Sequence, residues 1–160
     1  MALADPRQAR RGAHRIPAPA GEGPDGAGDA QLEAREQIQA KRRRLWEYYA
    51  EHLQGWAQAH EVRLPVVPLH CEQSYLMFYL ILPSLAQRQR LITRLRTLGI
   101  LGVFHYLPLH LSAMGRRFGG KEGDCPLTEE VSERLLRLPF YTDLTEAEQA
   151  CVVAALGGLA

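Results

Sequence analysis

The residues most able to bind a ligand lie close together, between Phe104 and His110. His105, Tyr106 and His110 carry imidazole and phenol groups, which form hydrogen bonds with hydroxyl or phosphate oxygens. Aliphatic residues alternate with them, which predicts one face toward a core and another toward solvent. The segment follows a predicted strand and enters a loop, so we expect it to border a binding site. The competing interpretation is that one of the histidines is purely structural.

Soft metal ligands are also present in the chain, and they offer a second use for the same histidines. They are His70, Cys71, His105, His110 and Cys125. Their spacings match no common zinc pattern, and the closely paired ligands of structural zinc sites are missing. The sequence therefore predicts no metal site.

Two further groups could do chemistry, but the sequence supports each of them weakly. Arg116 and Arg117, followed by Phe118 and glycines, could hold a phosphate, although no phosphate-binding glycine motif accompanies them. A solvated surface loop is the favoured interpretation. Cys125 has no basic neighbour that would activate its thiol as a nucleophile.

Composition limits the class of protein to which the chain can belong. Its 160 residues are 46% hydrophobic and 23% charged, which suits one globular domain. The net charge of +1 gives no reason to expect nucleic acid or a membrane as the main partner. The longest apolar run, Leu76 to Leu82, is far shorter than the roughly 20 residues of a membrane helix. The first residues do not form a secretory signal and no cysteines are closely paired, so we expect a cytoplasmic location.

The chain divides into three parts by composition. Residues 1–29 are rich in Ala, Arg, Gly and Pro, and predict a disordered tail unrelated to the rest of the chain. Residues 30–60 carry an apolar stripe at helical spacing, which predicts one long helix. Its members are Ile38, Leu45, Tyr49, Leu53 and Trp56. Residues 61–160 predict an α/β domain with a small, mostly antiparallel sheet and helices on one face.

Alternating patterns and capping residues predict the elements of that domain. Strands are expected at 74–82, 100–106 and 138–141. Capping boxes at Ser84 and Thr145 begin two helices, and Thr128 caps a third with the stripe Val131, Leu135 and Leu138. Gly99 suits the end of the first of these helices. One helical turn is expected in the loop at 112–117, and Cys151, Val152, Ala155 and Leu156 are expected to face inward in the last helix.

Several segments resemble one known family. Residues 103–110, 115–119 and 133–139 are similar to the DegT/DnrJ/EryC1/StrS sugar aminotransferases. Residues 31–34, 45–49 and 77–79 look most like the dTDP-4-amino-4,6-dideoxygalactose transaminases within that family. The resemblance runs from about residue 31 to 156 and depends on the order and spacing of these segments together.

The resemblance implies the C-terminal small domain of the aspartate-aminotransferase architecture, preceded by its long linking helix. The complete enzymes use pyridoxal phosphate to move an amino group from glutamate to a 4-keto-6-deoxy nucleotide sugar, for polysaccharide, lipopolysaccharide or antibiotic sugar synthesis. They are usually homodimers. By the same resemblance, His105, Tyr106 and His110 are expected at the substrate, and none of them is expected to be catalytic.

The family's cofactor needs a lysine, and this chain offers only Lys41 and Lys121. Lys41 lies in an arginine-rich helical run and Lys121 in a glycine-rich loop, so neither has the dry or cationic setting that lowers a lysine pKa. We therefore expect a truncated aminotransferase that is inactive and binds no cofactor as this chain alone. The alternatives are a stand-alone sugar-nucleotide-binding or dimerisation module, and a non-functional product.

Overall fold

A long helix leads into the domain. The computed structural model describes residues 32–158, and α1 spans Arg35–Ala59. Its buried residues are Leu45, Tyr49, Leu53 and Ala57, one every four positions, so a single stripe faces the core. Ile38 and Trp56, at the two ends of the predicted stripe, are half-buried. The expected tail at 1–29 lies outside the described residues.

Three short strands form an antiparallel sheet in the order β1-β3-β2. They are β1 (Tyr79–Ile81), β2 (Val103–Phe104) and β3 (Leu135–Arg137). Leu136 pairs with Leu80 on one side and Phe104 on the other, and these three side chains share one face. Arg137 pairs with Tyr79 and Val103, so these three share the opposite face. The central strand therefore places an arginine at the middle of that face.

The helices and the buried sheet face enclose one core. Helix α2 spans Leu85–Thr97, α3 spans Ala113–Arg117, α4 spans Pro126–Arg134 and α5 spans Glu146–Gly157, with a 3-10 turn at Leu109–Leu111. Leu80 and Leu136 lie in a single buried cluster with side chains of α1, α2 and α5. Tyr49 and Gln149 also lie within the core, where their side chains donate hydrogen bonds to the carbonyls of Pro139 and Leu45. These bonds satisfy polar groups that burial would otherwise leave unpaired.

The predicted order of helices and strands is observed, and the fold class is confirmed. Thr145 and Glu148 form the predicted reciprocal capping box at α5. At α2 the Ser84 hydroxyl accepts from the Gln87 N–H as expected, but the Gln87 side chain contacts that hydroxyl rather than the backbone. Gly99 follows α2 with a positive φ of 75°, which glycine adopts without steric cost.

Several predicted boundaries were wrong. The first strand is Tyr79–Ile81 rather than 74–82, and within the predicted range Tyr75 adopts a positive φ of 47°, which is incompatible with extended structure there. The third strand is Leu135–Arg137 rather than 138–141, since Pro139 has no N–H to continue the ladder. The second strand is Val103–Phe104 rather than 100–106, because β3 pairs with it only at these two residues.

Two predictions about helices were also wrong. Thr128 lies inside α4, which begins at Pro126, a residue suited to a first helical position, and Leu135 and Leu138 of its predicted stripe lie beyond the helix. Cys151 is exposed rather than inward-facing. Among the described residues, no helix is long and apolar enough to cross a membrane.

Candidate functional site

His105 and Tyr106 lie directly after β2, where the sheet ends and the chain turns outward. Their ring centroids are 4.6 Å apart. Tyr106 is 70% exposed, whereas His105 is half-buried. The Nδ1 atom of His105 is buried and has no hydrogen-bond partner among the described residues. A buried unpaired nitrogen is unfavourable and exceptional in native structures, which makes His105 a candidate for a role beyond packing.

A cavity of about 460 Å³ opens beside these two residues. Residues 105–109 form one wall, and Leu127, Val131 and Leu135 contribute to the other. The cavity lining as a whole is mostly apolar, and its polar atoms come from His105, Tyr106, Thr128 and Ser132. This combination of apolar walls and a few convergent polar groups is typical of small-molecule sites.

His110 has an internal partner. Its Nε2 lies 2.8 Å from Oε1 of Glu129, and both side chains are more than four-fifths buried. Glu129 also accepts the backbone N–H groups of Gly123 and Cys125. The hydrogen bond from His110, followed by that from Gly123, lowers the pKa of the Glu129 carboxyl below its usual value. One carboxylate thus ties the 3-10 turn to the loop before α4.

Two glycines, Gly115 in α3 and Gly120 in the loop after it, allow the backbone to approach the 3-10 turn closely. A Cβ atom at Gly120 would overlap the carbonyl oxygen of His110, and one at Gly115 would overlap the backbone carbonyls of Leu109 and His110. Backbone atoms cannot move aside as a flexible side chain can. Close backbone contact at these two glycines therefore holds His110 in place.

Arg137 is a candidate that the sequence pattern did not single out. Its Cζ lies 5.9 Å from the ring centroid of Tyr106, within cation–π range. Its Nε is buried and unpaired among the described residues. The alternation of Leu136, Arg137 and Leu138 would have placed an arginine opposite the core face. Only the strand register, however, shows which residues surround it.

The remaining sequence candidates lie apart from this cluster or face solvent. Arg116 and Arg117 are exposed on α3, and the Arg116 Nε–H donates to the carbonyl of Leu111. The three cysteines are exposed and free. Within residues 32–158, no three His, Cys, Asp or Glu residues are grouped closely enough to hold a metal ion. A larger groove of about 800 Å³ beside α1 has no histidine or carboxylate in its lining.

Neither lysine lies in a dry or cationic pocket. The Lys41 Nζ is 3.8 Å from a carboxylate oxygen of Asp143, and both side chains are more than half exposed. Lys121 is an exposed residue of the loop that Glu129 fastens. The residues of this chain therefore do not fit the covalent attachment of pyridoxal phosphate.

Comparison with known proteins gives a consistent result. The model of the DegT/DnrJ/EryC1/StrS aminotransferase family matches residues 26–157. A pleiotropic regulatory protein of Geobacillus stearothermophilus is 33% identical over 91 residues, covering 56% of this chain and 24% of that protein. A UDP-N-acetyl-3-dehydro-alpha-D-glucosamine 3-aminotransferase of Acidithiobacillus ferrooxidans is 29% identical over 116 residues, covering 72% and 29%.

Solved structures agree in fold. The aminotransferase TlmJ of Streptoalloteichus hindustanus superposes with a TM-score of 0.70 at 26% identity, covering 81% of this chain and 33% of that one. This chain therefore spans about a quarter to a third of the length of these relatives. The family model covers most of the chain, and on that ground the protein belongs to the DegT/DnrJ/EryC1/StrS aminotransferase family.

Proposed function

We propose that this chain is the C-terminal small domain of a sugar-nucleotide aminotransferase and supplies one wall of its substrate site. The parent reaction would transfer an amino group from glutamate to a keto sugar on a nucleotide, with pyridoxal phosphate held by the lysine-bearing part of the enzyme. The complete enzyme would be a cytoplasmic homodimer without nucleic acid or membrane partners. The proposed substrate is a 4-keto-6-deoxy sugar on dTDP.

The observation that carries the proposal is a partial site. The cavity beside His105 and Tyr106 has the polar groups needed to bind sugar hydroxyls or phosphate oxygens. Both lysines, by contrast, are exposed and outside that cavity. A cavity that can bind substrate but has no lysine for the cofactor is what one part of a larger active site would provide. The chain can orient substrate there, and we assign it no proton transfer.

Covalent cofactor attachment tests this proposal directly. The purified chain would be incubated with pyridoxal phosphate, reduced with borohydride and mapped by mass spectrometry. We expect only the slow, unselective labelling of exposed lysines, equal at Lys41 and Lys121, and no amino transfer from glutamate. The variants Lys41→Arg and Lys121→Arg serve as controls for each position.

Stoichiometric labelling of one lysine, accompanied by transaminase turnover, would show that the chain is a catalyst by itself and would overturn the proposal. Saturable binding of dTDP without any turnover supports it. Under the alternative of a stand-alone binding or dimerisation module, dTDP binding would persist but no large-domain chain would be needed in the cell. Genetic deletion of a separate lysine-bearing chain would then leave the function of this one intact.

A further inference from the structure

The sheet face opposite Leu80 and Leu136 carries an arginine that has no acidic partner within residues 32–158. Arg137 is the central position of that face, flanked by Tyr79 and Val103 on the neighbouring strands. It forms none of the ion pairs found among the described residues. Because the Arg137 side chain is half-buried, water can solvate its charge and its N–H donors only in part.

Other arginines with a buried, unpaired Nε differ from Arg137. Arg88 donates from its guanidinium to the carbonyl of Ser132 and lies over the ring of Phe104, so it joins α2 to α4 inside the fold. Arg42 and Arg94 lie on α1 and α2 rather than on a strand of the sheet. Arg137 alone among these four lies next to a cluster that also contains an unpaired histidine nitrogen.

That cluster converges on Tyr106. The guanidinium of Arg137 is 5.9 Å from its ring and the imidazole of His105 is 4.6 Å from it. Nδ1 of His105 and Nε of Arg137 are both buried and unpaired within residues 32–158, while Tyr106, which contacts both side chains, is largely exposed. A guanidinium without a carboxylate partner, an imidazole and a largely exposed phenol, grouped together, have the chemistry of an oxyanion site.

We propose that Arg137, with His105 and Tyr106, forms a binding site for an oxyanion, either a phosphate or a carboxylate. Guanidinium binds both groups through two parallel N–H···O bonds, and the Tyr106 ring lies within cation–π range of the Arg137 guanidinium. The inference rests on the proposed function for its two sources of anion, which are the diphosphate of a nucleotide sugar and the carboxylates of the amino donor. It does not depend on whether the chain catalyses anything.

Nuclear magnetic resonance titration of the full 160-residue chain tests this site. The probes are dTDP, inorganic pyrophosphate and L-glutamate at constant ionic strength, with thymidine as the uncharged control, and the signals observed are the Nε–Hε group of Arg137 and the amides of residues 103–107. We expect saturable shifts with dTDP and pyrophosphate if the source is phosphate, or with glutamate if it is carboxylate. Thymidine should cause none.

Variants separate a binding role from a structural one. Arg137→Gln should weaken anion binding about tenfold or more, as expected for loss of a charged hydrogen bond. Arg137→Lys should weaken it less, because the charge remains but the fork is lost. Arg96→Gln, at an exposed position in the last turn of α2, is the matched control and should bind as the unaltered chain does.

Two results would overturn the proposal. One is the absence of saturable shifts with all three anions in the folded chain. The other is equal anion binding by Arg137→Gln and the unaltered chain, with only the thermal midpoint changed, since that would make Arg137 a structural residue. The anion titration can be interpreted even if the cofactor-attachment experiment contradicts the proposed function, because the titration involves no lysine.

Discussion

At the scale of single residues, histidines in the same motif have different environments. His110 is bound to Glu129, which in turn holds two backbone N–H groups of the neighbouring loop. His105 leaves one ring nitrogen buried without a partner among the described residues. The assignment of His105, Tyr106 and His110 to the substrate remains a prediction, and the geometry favours a direct contact for His105 and Tyr106 and a positioning role for His110.

We predict that Glu129 makes the stability of the chain depend on acidic pH. Its folded-state pKa is lowered, first by the hydrogen bond from His110. A lowered carboxyl pKa contributes stability above the unfolded-state pKa, near 4.5. That contribution disappears as the pH falls from there through the folded-state pKa. Urea unfolding midpoints measured between neutral and acidic pH should show this loss.

The matched variants for this experiment lie in the same region. Glu129→Gln should flatten the acidic part of the pH profile, because the neutral amide no longer titrates. Glu122→Gln changes an exposed carboxylate of the adjoining loop and should leave the profile as it is. Equal profiles for Glu129→Gln and the unaltered chain would show that Glu129 does not supply this pH dependence.

At the scale of elements, most helix ends could be predicted from capping residues and glycines in the sequence. The limits of the strands depended on which residues pair with a neighbouring strand. The capping box at Thr145 could be predicted because all its members lie within four residues of each other. Thr128 lacks the matching residue of a capping box, since Val131 stands three positions later, and the helix starts earlier at Pro126, which fits a first helical position. The complete box predicted a cap correctly, whereas a threonine followed by acidic residues did not.

This contrast gives a second stability prediction. Thr145→Ala should lower the free energy of unfolding by about 1 kcal/mol, since it removes the acceptor for the Glu148 N–H and one side of the box. Thr128→Ala should change it by only a few tenths of a kcal/mol, because alanine is a better helix former than threonine inside a helix. Urea denaturation monitored by far-ultraviolet circular dichroism measures both. A larger loss for Thr128→Ala would place the cap of α4 at Thr128 after all.

At the scale of the whole molecule, large exposed apolar side chains are concentrated between residues 101 and 127. They are Leu101, Phe104, Tyr106, Leu107, Leu109, Met114, Phe118 and Leu127. Soluble proteins rarely leave so many on one stretch of chain unless the surface is an interface. Since the chain spans about a third of its solved relatives, this surface is compatible with the proposal that it faces the rest of the enzyme.

We predict that the isolated chain self-associates through this stretch. Sedimentation velocity should show an average mass that rises with protein concentration, because apolar surface leaves water when copies meet. Leu109→Ser with Phe118→Ser, at positions 82% and 85% exposed, should reduce the association. Val66→Ser with Leu69→Ser removes exposed apolar side chains elsewhere and should not reduce it. Concentration-independent monomer for the unaltered chain would contradict the prediction.

The sequence by itself determined the family, the order of helices and strands and most helix ends, because these depend on periodicity and on residues within one or two turns of each other. It also showed that the chain's two lysines lack a suitable local setting. Only the tertiary structure placed Arg137 against Tyr106 and Glu129 against His110, which are 31 and 19 positions apart along the chain. Strand register and the close packing of Gly115 and Gly120 decide such contacts. Both features depend on segments that are distant in sequence and meet only when the chain folds.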